Sequence, residues 1–143
     1  MFLLDTDCLG IFQRGSQLEA RALGKRMEDY EPSDFYVTIV SFQEQVSGWN
    51  AYLNRAKTTE SVVRAYRKLL DLLRDFGHHQ VLPFDELAAT QFWSFRGQNV
   101  RIGTLDLRIA AVAISRNLTL ISRNLVDFER VPGLHVEDWT KPR

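Results

Sequence analysis

The sequence contains little cysteine, no excess of either charge and no long apolar run. Cys8 is the only cysteine, which excludes an internal disulfide and a cysteine-based zinc cluster. Eighteen basic and eighteen acidic residues cancel. The chain therefore lacks the overall positive charge of a general nucleic-acid coat protein, and any site for a polyanion must be local.

Membrane and export signals are also missing. No apolar run approaches the ~20 residues of a membrane-spanning helix. No basic stretch precedes the apolar Phe2-Leu3-Leu4, so we expect no signal peptide and a cytoplasmic location. The chain has no repeat, low-complexity tract or linker, and its 143 residues, 45% of them hydrophobic, suit one domain over residues 1–143.

Short apolar segments alternate with amphipathic stretches along the chain. The predicted strands are residues 2–4, 35–40, 81–83, 118–122 and an edge strand at 134–136. The predicted boundary residues of the helices are Ser16 with Glu19 and Ser41 with Glu44 as capping boxes, Asp85 and Thr104 as N-caps, and Asn117 as a left-handed stop. This alternation predicts an α/β fold, a three-layer α/β/α sandwich with a mostly parallel central sheet.

In such folds the ligand cleft lies beyond the carboxyl ends of the strands. The polar residues expected there are Asp5, Asp7, Glu44, Asp106, Asn124 and Asp127. Carboxylates gathered in one place repel one another unless a cation balances them, and Mg²⁺ or Mn²⁺ prefers oxygen ligands. The sequence therefore predicts a divalent-metal site at this edge of the sheet.

Most of these acids also have a purely structural explanation. Glu44 fits a capping box with Ser41, Asp106 suits the first turn of a helix through the macrodipole, and Asp127 suits the surface of a short helix. A purely structural explanation is weakest for Asp5, because a carboxylate at the end of a buried strand costs free energy unless it is paired or ligated.

Four segments, in order, resemble the signature segments of PIN-domain nucleases, and most closely those of VapC-type toxins. They are residues 3–7, 38–44, 102–111 and 120–128. The resemblance implies an Mg²⁺-dependent endoribonuclease that acts as the toxin of a toxin–antitoxin pair, with RNA as substrate, an antitoxin protein as partner, and a homodimeric state. Carried over by position, Asp5, Glu44 and Asp106 match the family's catalytic and metal-binding acids.

The sequence departs from the family pattern at two positions. Asp7 stands where relatives often carry asparagine, which adds a negative charge near the metal. Asn124 stands where the family's fourth acid aligns. Either this neutral amide or the carboxylate of Asp127 therefore completes the site. The number of bound metal ions, one or two, stays open. Ser122 resembles a position whose hydroxyl orients the site, and a hydroxyl bonded only to local backbone is the alternative.

Two further groups of residues are candidates for contacts with RNA or protein. Five arginines flank the acidic segments and could hold phosphates as a group: Arg96, Arg101, Arg108, Arg123 and Arg130. Five aromatic residues, which are usually core at helical spacing, are Trp49, Tyr52, Phe92, Trp93 and Phe95. Phe92 and Trp93 are adjacent and cannot point the same way, so one of them could face a protein partner or, less favourably, an unstacked base.

Two other functions compete with the nuclease. The opening Asp5-Thr6-Asp7 resembles the first motif of haloacid-dehalogenase-type phosphatases, in which the first aspartate is phosphorylated, but Cys8-Leu9 follows where that family expects glycine. The second competing function is that of a PIN-like module that binds RNA or protein and has lost catalytic activity because Asn124 cannot complete the metal site.

Overall fold

The computed structural model describes residues 1–15 and 17–143, and these form a parallel sheet with helices on both faces. The five strands are β1 (Phe2–Leu4), β2 (Phe35–Thr38), β3 (Val81–Leu82), β4 (Thr119–Ile121) and β5 (Val136–Glu137). The helices are α1 (Thr6–Arg14), α2 (Leu18–Met27), α3 (Ile39–Arg55), α4 (Thr59–Phe76), α5 (Glu86–Gly97), α6 (Thr104–Ser115) and α7 (Leu125–Phe128). The predicted α/β sandwich is confirmed.

Strand β1 lies at the centre of the sheet, whose order is β3-β2-β1-β4-β5. All four strand pairs are parallel, and in the central register Phe2 lies opposite Phe35 on one side and Thr119 on the other. Parallel strands end at the same edge, so the loops after β1, β2 and β4 meet there.

The alternation of side chains along β1 divides the core into two. Leu3 packs with Ile109 of α6 and Phe92 of α5 on one face of the sheet. Leu4 packs on the other face with Leu9 of α1 and Leu72 of α4. A short strand with both faces apolar is typical of a sheet covered by helices on both sides.

The start of α3 differs from its predicted position. Strand β2 ends at Thr38, whose hydroxyl oxygen accepts a hydrogen bond from the backbone N–H of Ser41 at 3.1 Å. Thr38 is therefore the N-cap, and the helix begins at Ile39 rather than Ser41. The predicted Ser41–Glu44 capping box is wrong, because Ser41 is already the third residue of the helix.

Other boundaries are mostly confirmed. Asp85 caps α5 by accepting from the N–H of Ala88 at 3.0 Å, and Asn117 has the predicted left-handed backbone, with φ 55°. Thr104 is not an N-cap: Gly103 takes that position, and the Thr104 hydroxyl accepts a hydrogen bond from Arg96. The edge strand β5 begins two residues later than predicted. The predicted cap Ser16 lies outside the described residues.

No helix in the described part of the chain is both long enough and apolar enough to cross a membrane.

Candidate metal centre

Asp5 lies at the carboxyl end of the central strand and is almost completely buried, with 4% of its surface exposed. One carboxylate oxygen caps α1 by accepting from the N–H of Cys8 at 2.8 Å. The other accepts from the hydroxyl of Ser122, which follows β4, at 2.5 Å. Burial nevertheless raises the pKa of Asp5, and the nearby charge of Asp7 adds to that rise.

Ser122 is fully buried and links Asp5 to the loop after β4. Its hydroxyl donates to Asp5 and accepts from the backbone N–H of Asn124 at 2.9 Å. The Ser122 hydroxyl is therefore not bonded to local backbone alone, because the same oxygen donates to the Asp5 carboxylate and accepts from the backbone of its own loop.

Glu44 approaches the same site from the second turn of α3. Its Oε1 atom is buried and has no hydrogen-bond partner among the residues that the structure describes. The capping box does not form, so within residues 1–15 and 17–143 it supplies no backbone N–H to this atom. A buried oxygen without a partner costs free energy, and a bound cation would remove that cost.

Asp106 lies in the first turn of α6 and completes the convergence. Its pKa is raised to about 6, first by burial and then by the negative charges of Asp5, Glu44 and Asp127. Asp5, Glu44 and Asp106 line the same cleft, and the charge of Asp127 also acts on Asp106. Four segments that are distant in sequence therefore contribute acids to this region.

Asp7 is engaged in a different interaction. Arg123 donates to both of its carboxylate oxygens, at 2.7 and 2.9 Å, and this pairing raises the pKa of the guanidinium. The extra charge expected of an aspartate at this position is therefore paired with Arg123, and it still contributes to the raised pKa of Asp5.

The acids surround an open cleft of about 640 Å³. It is lined by Asp5, Thr6, Asp7, Glu44, Asp106, Arg123 and Asn124. Within residues 1–15 and 17–143, Arg123 is the only basic side chain in this lining, and it already pairs with Asp7. An uncompensated group of carboxylates with an orphaned oxygen fits a hard divalent cation.

Cys8 does not suit a ligand role, although its sulfur lies within 4.8 Å of ligand oxygens of Asp5 and Asp7. Burial is the main cause that raises the pKa of this thiol above its usual range, and the adjacent carboxylates contribute. Mg²⁺ and Mn²⁺ prefer oxygen ligands to sulfur, so this thiol is a poor ligand for them. Cys8 is a core residue, as predicted.

Comparison with known proteins agrees with this geometry. The family model for the PIN domain matches residues 2–134. The chain belongs to the PIN domain family. The resemblance seen in the four sequence segments is confirmed.

Individual members of the PIN domain family resemble this chain in sequence and in structure. A tRNA(fMet)-specific endonuclease VapC of Salmonella typhimurium is 41% identical over 64 residues, 42% of this chain and 48% of that protein, so the chain spans about half the length of this relative. A ribonuclease VapC1 of Haemophilus influenzae is 26% identical over 144 residues, 99% of each chain. A chain in the crystal structure of DNA-bound VapBC from Salmonella typhimurium superposes with a TM-score of 0.75 at 25% identity, covering 96% of this chain and 97% of that chain.

The two candidates for the fourth acid position, Asn124 and Asp127, contact each other. Asn124 caps the short helix α7, and its side-chain amide donates to the carboxylate of Asp127 at 2.9 Å. Asn124 lines the cleft, while Asp127 acts on Asp106 through its charge. The amide of Asn124 thus holds the carboxylate of Asp127 in place beside the site.

Sequence reasoning missed a pair of hydroxyls beneath the PIN site. The Thr6 and Ser41 hydroxyls are 2.9 Å apart and connect the start of α1 to the start of α3, the two helices that carry Asp5 and Glu44. Ser41 is fully buried. The only signal in the sequence was that each hydroxyl lies close to a candidate acid.

The five candidate arginines do not act as one group. Arg123 lines the acidic cleft, but Arg96 and Arg108 stack over Phe92. Arg101 and Arg130 bond to neighbouring loops.

The adjacent aromatic residues Phe92 and Trp93 point in different directions, as predicted. Phe92 and Phe95 are buried, and Trp93 is 68% exposed. Trp49 and Tyr52 are only half-buried, on the outer part of α3.

Proposed function

We propose that this chain is a divalent-metal-dependent endoribonuclease that hydrolyses RNA phosphodiester bonds. The observation that carries the proposal is the convergence of Asp5, Glu44 and Asp106 on one open cleft, with Glu44 Oε1 buried and unpartnered. The relatives named as ribonucleases and endonucleases support the same chemistry.

In this proposal Asp5, Glu44 and Asp106 hold Mg²⁺ or Mn²⁺, and Asp127, positioned by Asn124, is the further acid that completes the site. A bound divalent ion supplies charge for the phosphate oxygens and lowers the pKa of an attacking water. Ser122 and the N–H of Cys8 fix the Asp5 carboxylate. Glu44 and Asp106 would orient the water, and one of these two carboxylates would accept its proton as the water oxygen bonds to phosphorus. The bond from phosphorus to the 3′ oxygen breaks and that oxygen takes up a proton from solvent, which leaves a 3′-hydroxyl and a 5′-phosphate on the RNA.

The test is cleavage of RNA by the purified protein with Mg²⁺, with Mn²⁺ and with EDTA. We expect cleavage only with a divalent ion, and loss of cleavage in Asp5→Asn and Asp106→Asn. Glu129→Gln is a matched control, because Glu129 is an exposed acid outside the cleft. Normal cleavage by both aspartate variants would refute the site.

Two other activities become distinct outcomes of the same experiment. Trapping of an acyl-phosphate on Asp5 would favour the phosphatase. RNA binding without cleavage at any metal concentration would favour a non-catalytic binding module. The match to the PIN domain supports neither over the nuclease.

We further propose that the protein is the toxin of a toxin–antitoxin pair and forms a homodimer. The structural relative in a VapBC complex supports this role. Expression should arrest growth, and Asp5→Asn should relieve the arrest. A short upstream gene encoding a DNA-binding protein that co-purifies with this chain would identify the antitoxin, and sedimentation would give the oligomeric state.

A further inference from the structure

A second cleft, of about 740 Å³, lies between α1, α3 and α4 and is both basic and aromatic. Its lining includes Arg14, Trp49, Tyr52, Arg55, Arg64 and Lys68. The three arginines of this cleft are not among the five that the sequence analysis considered for binding phosphates. The chemistry of this cleft is the opposite of the acidic cleft, although both open beside α1 and α3.

The four basic side chains are available to a ligand. Throughout residues 1–15 and 17–143, the structure pairs none of them with a carboxylate. Two acids, Asp71 and Asp75, also line the cleft, so that its four basic side chains exceed its acids by two. The cleft therefore carries a local positive charge in a chain whose net charge is zero.

The aromatic side chains lie among these charges. The rings of Trp49 and Tyr52 meet edge to face, with centroids 5.3 Å apart, and the guanidinium of Arg64 lies 5.8 Å from the Trp49 ring. Flat rings beside cations form the arrangement that binds single-stranded nucleic acid, in which bases stack and phosphates pair with the cations.

Helices α1 and α3 contribute residues to both the metal centre and the second cleft. Helix α1 is capped by Asp5 and carries Arg14 in its last turn, and α3 carries Glu44 one residue before the lining residue Gln45. From Glu44 to Trp49 the helix rises about 7.5 Å. A strand whose phosphate lies at the acids could therefore continue into the basic cleft.

We propose that this cleft binds single-stranded RNA next to the cleavage site. One unpaired base stacks on the Trp49–Tyr52 pair, and the flanking phosphates contact Arg14, Arg55, Arg64 and Lys68. The inference takes RNA as the ligand from the proposed function. We favour RNA over an acidic protein segment because α1 and α3 also carry residues of the acidic cleft, so that a strand bound at the acids lies near this cleft.

The first test measures binding of a short, unstructured, fluorescently labelled RNA in EDTA, so that no cleavage occurs. Arg64→Ala with Lys68→Ala should weaken binding about tenfold and lower the slope of log affinity against log salt by about 1.4. Arg67→Ala with Arg74→Ala is the matched control, since both are exposed arginines on α4 outside the cleft. Equal losses in the two double variants would refute the proposal.

The second test separates stacking from charge. Trp49→Ala should weaken RNA binding about tenfold with an unchanged salt slope, while Trp93→Ala, at an exposed tryptophan outside the cleft, should leave binding unchanged. Gly48→Leu should also weaken binding, because no atom lies within 4 Å of an added Cβ and the side chain can enter the cleft. Full binding in both cleft variants would overturn the stacking role.

Cleavage kinetics distinguish this inference from the proposed function. With Mg²⁺, Arg64→Ala with Lys68→Ala should raise KM and leave kcat unchanged. Cleft-dependent binding without any cleavage would refute the nuclease alone. Cleavage with unchanged KM would refute the cleft alone. Tighter binding of a poly-glutamate peptide than of RNA, lost in the same double variant, would identify the cleft as a protein-binding site and refute the RNA proposal.

Discussion

At the scale of single residues, the site depends on carboxylates that fold into unfavourable surroundings. Asp5 is buried, Glu44 has an orphaned oxygen, and Asp106 is crowded by three other acids. Each feature costs stability in the metal-free protein. The acids are therefore positioned by neighbouring groups rather than by mutual attraction.

Ser122→Ala tests this positioning. Without the hydroxyl, Asp5 loses a donor that lowers its pKa, so that its pKa should rise further and the carboxylate should turn more freely. We expect Mn²⁺ affinity, measured by calorimetry, to fall about tenfold, as for other groups that orient metal ligands. Ser115→Ala, which removes a hydroxyl bonded only to its own helix, is the control. Unchanged affinity in Ser122→Ala would contradict a positioning role.

Asp106→Asn tests the cost of crowding through pH. The pKa of Asp106 is about 6 in the folded protein, and its ordinary value of 3.8 applies to the unfolded chain. Between these two pH values the folded state therefore binds more protons than the unfolded state. The free energy of unfolding therefore falls as pH rises through this window. In EDTA at about pH 7.5 the variant should be more stable than the wild type by about 1 kcal/mol, after allowance for partial exposure.

The difference should shrink at about pH 4.5, where Asp106 is mostly protonated. Urea unfolding at both pH values measures it. A variant less stable than the wild type at the higher pH would show that the carboxylates are not mutually destabilising.

The sequence was sufficient to predict Asp5, because a charge directly after an apolar run has few structural explanations. For Glu44 the residues alone favoured a capping box and only the family resemblance placed it at the site, because a capping box is a local pattern and only the tertiary structure decides whether Thr38 or Ser41 is the cap. The Asp7–Arg123 pair was not predicted, because it joins helix α1 to the loop after β4, 116 residues away.

At the scale of elements, the junction between β2 and α3 determines where Glu44 points. Thr38 ends the strand, caps the helix and is fully buried. Periodicity predicted the existence of both elements. It could not fix their boundary, since Ile39 and Val40 are β-branched and favour a strand until the cap is known.

Thr38→Ala should therefore have two effects. Loss of the cap should destabilise the protein by about 1 kcal/mol, and displacement of the first turn should weaken Mn²⁺ binding. Thr58→Ala is a matched control, because Thr58 caps α4 in the same way, through the N–H of Ser61 at 3.1 Å, away from the site. We expect a loss of stability in both variants and a loss of Mn²⁺ affinity in Thr38→Ala alone. Equal Mn²⁺ affinity in the two would contradict the role of this junction.

At the scale of the whole molecule, a bound ion should relieve the repulsion that the fold imposes. Adding Mn²⁺ at about a hundred times its dissociation constant should stabilise the protein by about 2.7 kcal/mol, which calorimetry would detect as a higher Tm. Asp106→Asn should largely lose this rise, whereas Glu129→Gln should keep it. A Tm that does not respond to Mn²⁺ in the wild type would argue against a metal centre.

The layered architecture was predictable because parallel strands need helical crossovers and short apolar strands need cover on both faces. The order of the strands was not predicted. It depends on which strand ends pair across long stretches of chain, and no local pattern records that choice.

The central position of β1 has a consequence for biosynthesis. Asp5 is synthesised well before β4, yet its backbone N–H bonds to Ile121 and its carboxylate to Ser122, 117 residues later in the chain. A nascent chain therefore lacks these contacts until β4 has been made. Under the proposed function, truncated products that stop before β4 should be inactive.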